Sequence, residues 1–146
     1  MILIIHQMKS LTCFMEIQMN RFLLDTHTFL WWLMDSKQLG SEARSKIANP
    51  DFIVFVSAVS IWEISIKKKI GKMEAPDNIT SIVDQKGFEH LPISLFHGES
   101  ILNLPGIHKD PFDRMLIVQA QLENLIIITN DDLIQKYNVN TVLASE

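Results

Sequence analysis

Four acidic residues stand where apolar segments break: Asp25 after RFLL, Glu63 inside SAVSIWEIS, Asp113 in KDPFDR and Asp131 in IIITNDD. Brought together, such carboxylates repel one another and would hold protons if left alone. A hard divalent cation removes that conflict, and Mg2+ and Mn2+ both prefer oxygen ligands. A water on such a cation becomes a nucleophile, and the cation screens the charge of a phosphodiester transition state. No Cys/His cluster in the chain has the spacing of a zinc site.

The same acids have plainer readings. Ser60 and Glu63 match S-x-x-E, the pattern of a capping box, so Glu63 could be only a helix-start residue. Asp110 and Asp113 share that spacing, and Asp113 could simply favour a helix dipole. Asp131 and Asp132 fall where a first helical turn is expected, and acids are common there. Asp25 is harder to dismiss. It closes an apolar stretch at a strand end, where an unpaired buried carboxylate would be costly.

The elements that must position these residues follow from the apolar pattern. Residues 21–25 (RFLLD), 52–56 (FIVFV), 88–91 and 125–129 (LIIIT) read as buried strands, with 140–143 as a final one. Helices are expected over 26–34, over 42–48 with Ser41 as N-cap, over 57–69 with Gly71 as the stop, and over 78–86 and 94–102. The clearest helix spans 110–124, entered through Asp110 as N-cap and Pro111 at its first position. A short helix is expected over 130–137. The strands are apolar throughout rather than alternating, so both faces must be covered. Strands alternating with helices then give an α/β fold with a mostly parallel central sheet between helical layers. In such open sheets functional sites gather beyond the carboxyl ends of the strands, so the four acids can converge at one edge.

With 146 residues, 47% of them hydrophobic and 21% charged, the chain fits one folded domain and excludes disorder over most of its length. The net charge of −4 excludes a whole-chain basic field, so any nucleic-acid substrate must meet a local patch or bound metal. The single cysteine, Cys13, fits a reducing compartment, and a cytoplasmic protein is expected. No apolar run reaches the length of a membrane span. Residues 1–18 (MILIIHQMKSLTCFMEIQ) lack a clear period and read as an upstream extension. Met19 is a natural start, so the domain is expected over 19–146.

FLLDTHTFLWWL, SAVSIWEISIKKKIGK, HKDPFDRMLIVQAQ and the TND of IIITNDD, in that order, resemble a PIN domain. More narrowly they resemble the VapC toxins of bacterial toxin–antitoxin pairs, in the group with a D-P-F-D-R motif. The resemblance covers residues 21–142. It implies a three-layer α/β/α sandwich and a Mg2+- or Mn2+-dependent endoribonuclease. By position it makes Asp25, Glu63, Asp113 and Asp131 the acids that hold the metal. Asp110 becomes a supporting or capping residue, Thr129 the polar residue two before the last acid, and Thr26 or Thr28 the polar residue after the first. It also implies an RNA substrate, a VapB-like antitoxin as partner, and a homodimer with both sites along one groove.

Other residues carry two readings each. Lys67, Lys68, Lys69 and Lys72 could hold RNA phosphates or simply form a solvated helix end. His108 and Lys109 could touch phosphate or be solvated loop residues. Arg114 could bind phosphate, hold a neighbouring acid or make a structural ion pair. His27 suits packing better than acid–base work, and Trp31, Trp32 and Trp62 suit a core or an oligomer interface better than base stacking. Two rival functions stand beside the nuclease. One is a non-catalytic interaction module with the acids as remnants. The other is a phosphatase of the haloacid dehalogenase type, which needs an acid where His27 stands.

Overall fold

The structure, a computed structural model, describes residues 20–146, and the expected extension over 1–18 lies outside the described residues. Five strands form one sheet: β1 (Arg21–Leu24), β2 (Ile53–Ser57), β3 (Glu89–Leu91), β4 (Ile126–Thr129) and β5 (Thr141–Leu143). Their order is β3-β2-β1-β4-β5, and every pairing is parallel. The described residues also form six α-helices: α1 (Thr26–Leu33), α2 (Ser41–Ala48), α3 (Ala58–Lys69), α4 (Ile79–Gln85), α5 (Leu95–Ser100) and α6 (Pro111–Glu123).

The central strand shows why both faces are apolar. Side chains alternate across a strand. In β1, Phe22 and Leu24 enter one core with Phe29, Leu30, Ile64 and Ile128. Leu23 enters the other with Leu116, Ile117, Leu125 and Ile127. Helices α1, α2 and α3 cover the first face, and α6 covers the second. The expected three-layer α/β/α arrangement is therefore the observed one.

The chain builds outward from β1 to β2 and β3, then returns to place β4 and β5 on the other side. The topological switch point thus lies at the carboxyl ends of β1 and β4, where such sheets open a crevice. Asp25 follows β1 directly and caps α1, accepting the Thr28 N–H at 2.9 Å. Asn124, in the left-handed conformation at φ 55°, ends α6 and turns the chain into β4.

Three local expectations change. Gly40, not Ser41, occupies the cap position of α2, and no side chain caps that helix. The segment 130–137 holds only a 3-10 turn, Ile134–Lys136. Asp131 already satisfies two of its backbone N–H groups, and Ile134 drops into the second core. The capping-box reading of Glu63 also fails. Ser57 is the N-cap of α3, accepting the Val59 N–H, so Ser60 lies inside the helix and Glu63 beyond its first turn.

Gly40 meets the C-terminal residues at close quarters. Its N–H donates to the Ala144 carbonyl at 2.8 Å. A Cβ there would lie 2.2 Å from the Glu146 carbonyl oxygen. Gly40→Ala should therefore destabilise the fold by about 1–3 kcal/mol through overpacking, measured by urea unfolding. An unchanged midpoint would show that the last residues move aside freely.

Candidate metal centre

Asp25 is buried at the mouth of the crevice. One of its oxygens accepts the Thr28 N–H and the other the Thr129 hydroxyl. Burial pushes its carboxyl above the ordinary range, although the hydrogen bonds from Thr129 and Thr28 and the charge of His27 pull the other way. Thr129, at the end of β4, also accepts the Asp131 N–H at 2.9 Å. One hydroxyl therefore joins the acid after β1 to the segment after β4. Thr28 donates to the Ile128 carbonyl at 2.9 Å, and Thr26 donates to Ser60 at 3.1 Å, which ties α1 to α3.

Glu63 projects from α3 and is only 4% exposed. Lys67, one turn on, donates to its Oε2. Its Oε1 is buried with no hydrogen-bond partner among the described residues. A buried carboxylate oxygen left unsatisfied is expensive, so this atom asks for a cation or a donor.

Asp113 lies in the first turn of α6, whose N-cap Asp110 accepts the N–H groups of Phe112 and Asp113 at 2.8 and 3.1 Å. Burial pushes the Asp113 carboxyl up to about 7, and the charges of Asp110, Asp25 and Glu63 add to it, while His108 opposes them. Coulombic repulsion of this kind falls with distance, so Asp25, Glu63, Asp110 and Asp113 share one field. Lys67 lies in it too. Its ammonium is held above its ordinary range by the hydrogen bond to Glu63, against partial burial, with help from the charges of Asp110 and Asp113.

Asp131 is tied in differently. Its Oδ1 accepts the N–H groups of Leu133 and Ile134 at 2.8 and 3.2 Å, and its Oδ2 lies 3.0 Å from Nε2 of His108. Partial burial works against its charge, but the hydrogen bonds from His108, Ile134 and Leu133 together hold it below the ordinary range. The same Nε2 is 3.1 Å from Oδ2 of Asp113. Ligand atoms of His108, Asp113 and Asp131 all fall within 4.8 Å of one another. The four expected acids thus divide into an inner set, buried Asp25 and Glu63 with half-buried Asp113, and Asp131 joined to it through His108 and Thr129.

The donor set is oxygen-rich, mutually repulsive and contains an unsatisfied buried oxygen, which fits a hard divalent cation. The other residues weighed from sequence take mostly structural places. Arg114 donates to the carbonyls of Leu104, Pro105 and His108, so it pins a loop rather than an acid. Lys68 pairs with Asp77 at 2.6 Å. His27 is exposed and lies against Trp31. Trp31 and Trp32 pack on the first core, while Trp62 is exposed and meets Phe112 edge-on at 5.1 Å. The bridging place of His108 was not legible. Its only signal is its position two residues ahead of an N-cap acid.

The pH dependence follows from Asp113. Its folded-state pKa is raised, so the neutral form is favoured by folding. Its contribution is full below its ordinary value of 3.8 and is lost as pH rises toward about 7. Asp25 works in the same direction, and Asp131 in the opposite one at lower pH. In a chelator, the melting temperature should fall between about pH 4 and about pH 7, and Asp113→Asn should flatten part of that slope, with Asp25 carrying another part. An identical slope in the variant would show that another group carries it.

A family model described as the PIN domain matches residues 22–140. Among solved structures, a toxin–antitoxin complex from Klebsiella pneumoniae is 20% identical over 84% of this chain and 97% of that chain, with a TM-score of 0.58. The crystal structure of VapBC2 from Rickettsia felis, bound to a DNA fragment from the promoter, is 15% identical over 83% of this chain and 96% of that chain, also with a TM-score of 0.58. At these identities the likeness is one of fold. No curated protein matches the chain. The matched span takes in β2, β3, β4 and all of β1 but its first residue, stops just before β5, and includes all four acids: this chain belongs to the PIN domain family.

Proposed function

We propose that this chain is a Mg2+- or Mn2+-dependent endoribonuclease of the VapC type, the toxin of a toxin–antitoxin pair. The observation that carries this reading is the inner acid set, with Glu63 Oε1 buried and unsatisfied beside the raised carboxyls of Asp25 and Asp113. Family membership supports nuclease chemistry. The toxin–antitoxin complexes among its structural neighbours support an antitoxin partner. A homodimer acting in the cytoplasm belongs to the same proposal.

Asp25, Glu63, Asp113 and Asp131 would hold the cation, directly or through water. When bound, it would lower the pKa of a water and offset the charge of the phosphodiester transition state. The chain's own residues do the positioning. Thr28 and Thr129 fix both oxygens of Asp25. Lys67 holds one oxygen of Glu63. Lys69 and Lys72, both exposed near the end of α3, offer a local positive charge to RNA phosphates on a chain whose net charge is −4. No histidine general base is needed.

The test is cleavage of RNA by the purified chain. Activity should appear with Mg2+ or Mn2+, vanish with EDTA, and fall to background in Asp25→Asn, which keeps the shape of the side chain. Robust cleavage by that variant, free of contaminating nucleases, would refute the assignment. Absence of cleavage by the wild-type chain in either metal would favour a non-catalytic interaction module.

A further inference from the structure

Residues 104–110 contain no helix or strand, yet His108 within them is only 8% exposed. The loop is pinned from two sides. The Arg114 guanidinium donates to the carbonyls of Leu104, Pro105 and His108 at 3.2, 2.8 and 3.1 Å. The Tyr137 hydroxyl accepts the His108 N–H and donates to the Pro105 carbonyl, both at 2.7 Å. These contacts deliver one imidazole to the edge of the acid cluster and hold it there.

The ring's hydrogen bonds assign its role. Nδ1 accepts the Asp110 N–H at 3.1 Å, so the neutral ring carries its proton on Nε2. That Nε2–H donates to Oδ2 of Asp131 at 3.0 Å, and Oδ2 of Asp113 lies 3.1 Å from the same nitrogen as a charge contact. With its proton there, Nε2 has no lone pair to offer a metal. His108 therefore donates to Asp131 and sets the positive edge of its ring against Asp113, rather than acting as a ligand. Asp110 has a double duty, since its side chain caps α6 while its N–H sets the tautomer of the ring.

Resting on the metal-dependent reading above, we infer that His108 is a positioning residue of the metal centre, clamping Asp131 after β4 to Asp113 at the start of α6. Two carboxylates that repel one another are held in one arrangement by a ring that donates to one and lies against an oxygen of the other. The contact faces Oδ2 of Asp113 and leaves Oδ1 for a cation. Residues that orient metal ligands in this way are worth about 10- to 100-fold in metal affinity. Asp131 then contributes to affinity mainly through its partnership with His108.

The experiment measures Mn2+ affinity of the full chain by the electron paramagnetic resonance signal of free Mn2+. The set is wild type, His108→Ala, His108→Gln, Asp131→Asn and the His108→Ala/Asp131→Asn double variant. Circular dichroism melts in chelator establish that each is folded. His108→Ala should weaken Mn2+ binding about tenfold or more. His108→Gln, whose amide N–H reaches the place of Nε2, should recover part of that loss. The double variant should bind no more weakly than the worse single variant, because both changes break one clamp. If His108→Ala does not fold, His108→Gln and its double with Asp131→Asn carry the same comparison. Wild-type affinity in the His108 variants would overturn the clamp, as would losses that simply add, and both would leave the metal reading standing. Failure of the wild-type chain itself to bind Mn2+ would overturn that reading and the clamp with it.

Discussion

Like charges pressed into an apolar crevice are the constraint on which this structure turns. Asp25 and Glu63 are almost fully buried, and Asp113 is repelled by both and by Asp110. Placing them together costs folding energy at neutral pH, because charged carboxylates lose solvation on burial and repel one another. A core alone would have no reason to keep them. The protein offsets part of the conflict with its own donors: Thr28 and Thr129 on Asp25, Lys67 on Glu63, and His108 between Asp113 and Asp131. One oxygen of Glu63 still lacks a partner. That residue of unsatisfied charge is what a divalent cation would complete.

The fold explains why the acids meet. A parallel sheet that reverses direction at β1 opens a crevice between the ends of β1 and β4. Asp25 and Asp131 are the residues that follow those ends, and Thr129 couples them by hydrogen bonds to both. Glu63 arrives on α3 and Asp113 on α6. Each of these helices begins at a side-chain cap, Ser57 and Asp110, that sets where the helix starts and hence where its acid points. Local capping chemistry and global strand order thus act on the same few ångströms.

Much of this was legible in the sequence, for physical reasons that differ by element. Runs such as FIVFV and LIIIT are apolar at every position, which suits strands covered on both faces, so the parallel sheet between helices followed from them, although Ile53 at the start of β2 stays exposed. Asp110 and Pro111 mark a helix start by pairing a good cap with a preformed φ, and the helix begins there. The failures lie where short-range pattern and tertiary context compete. Ser60 and Glu63 match a capping box, but Ser57, also a good cap, wins because β2 ends there. Residues 130–137 offered helix-start signals, yet Asp131 spends its side chain on Leu133 and Ile134 and the turn closes after three residues. The role of His108 rests on contacts with Asp131 and Tyr137, which lie 23 and 29 residues away, and no local pattern encodes those. Arg114 likewise reaches backbone carbonyls that no motif announces.

Family membership and fold define a scaffold, while the metal is a claim about a few oxygens. The most direct measurement is anomalous diffraction from crystals of the chain grown with Mn2+. A manganese peak is expected within coordination distance of carboxylate oxygens of Asp25, Glu63 and Asp113, with Glu63 Oε1 turned toward it. A fully diffracting crystal with no peak in that crevice, or with its only peak elsewhere, would contradict it.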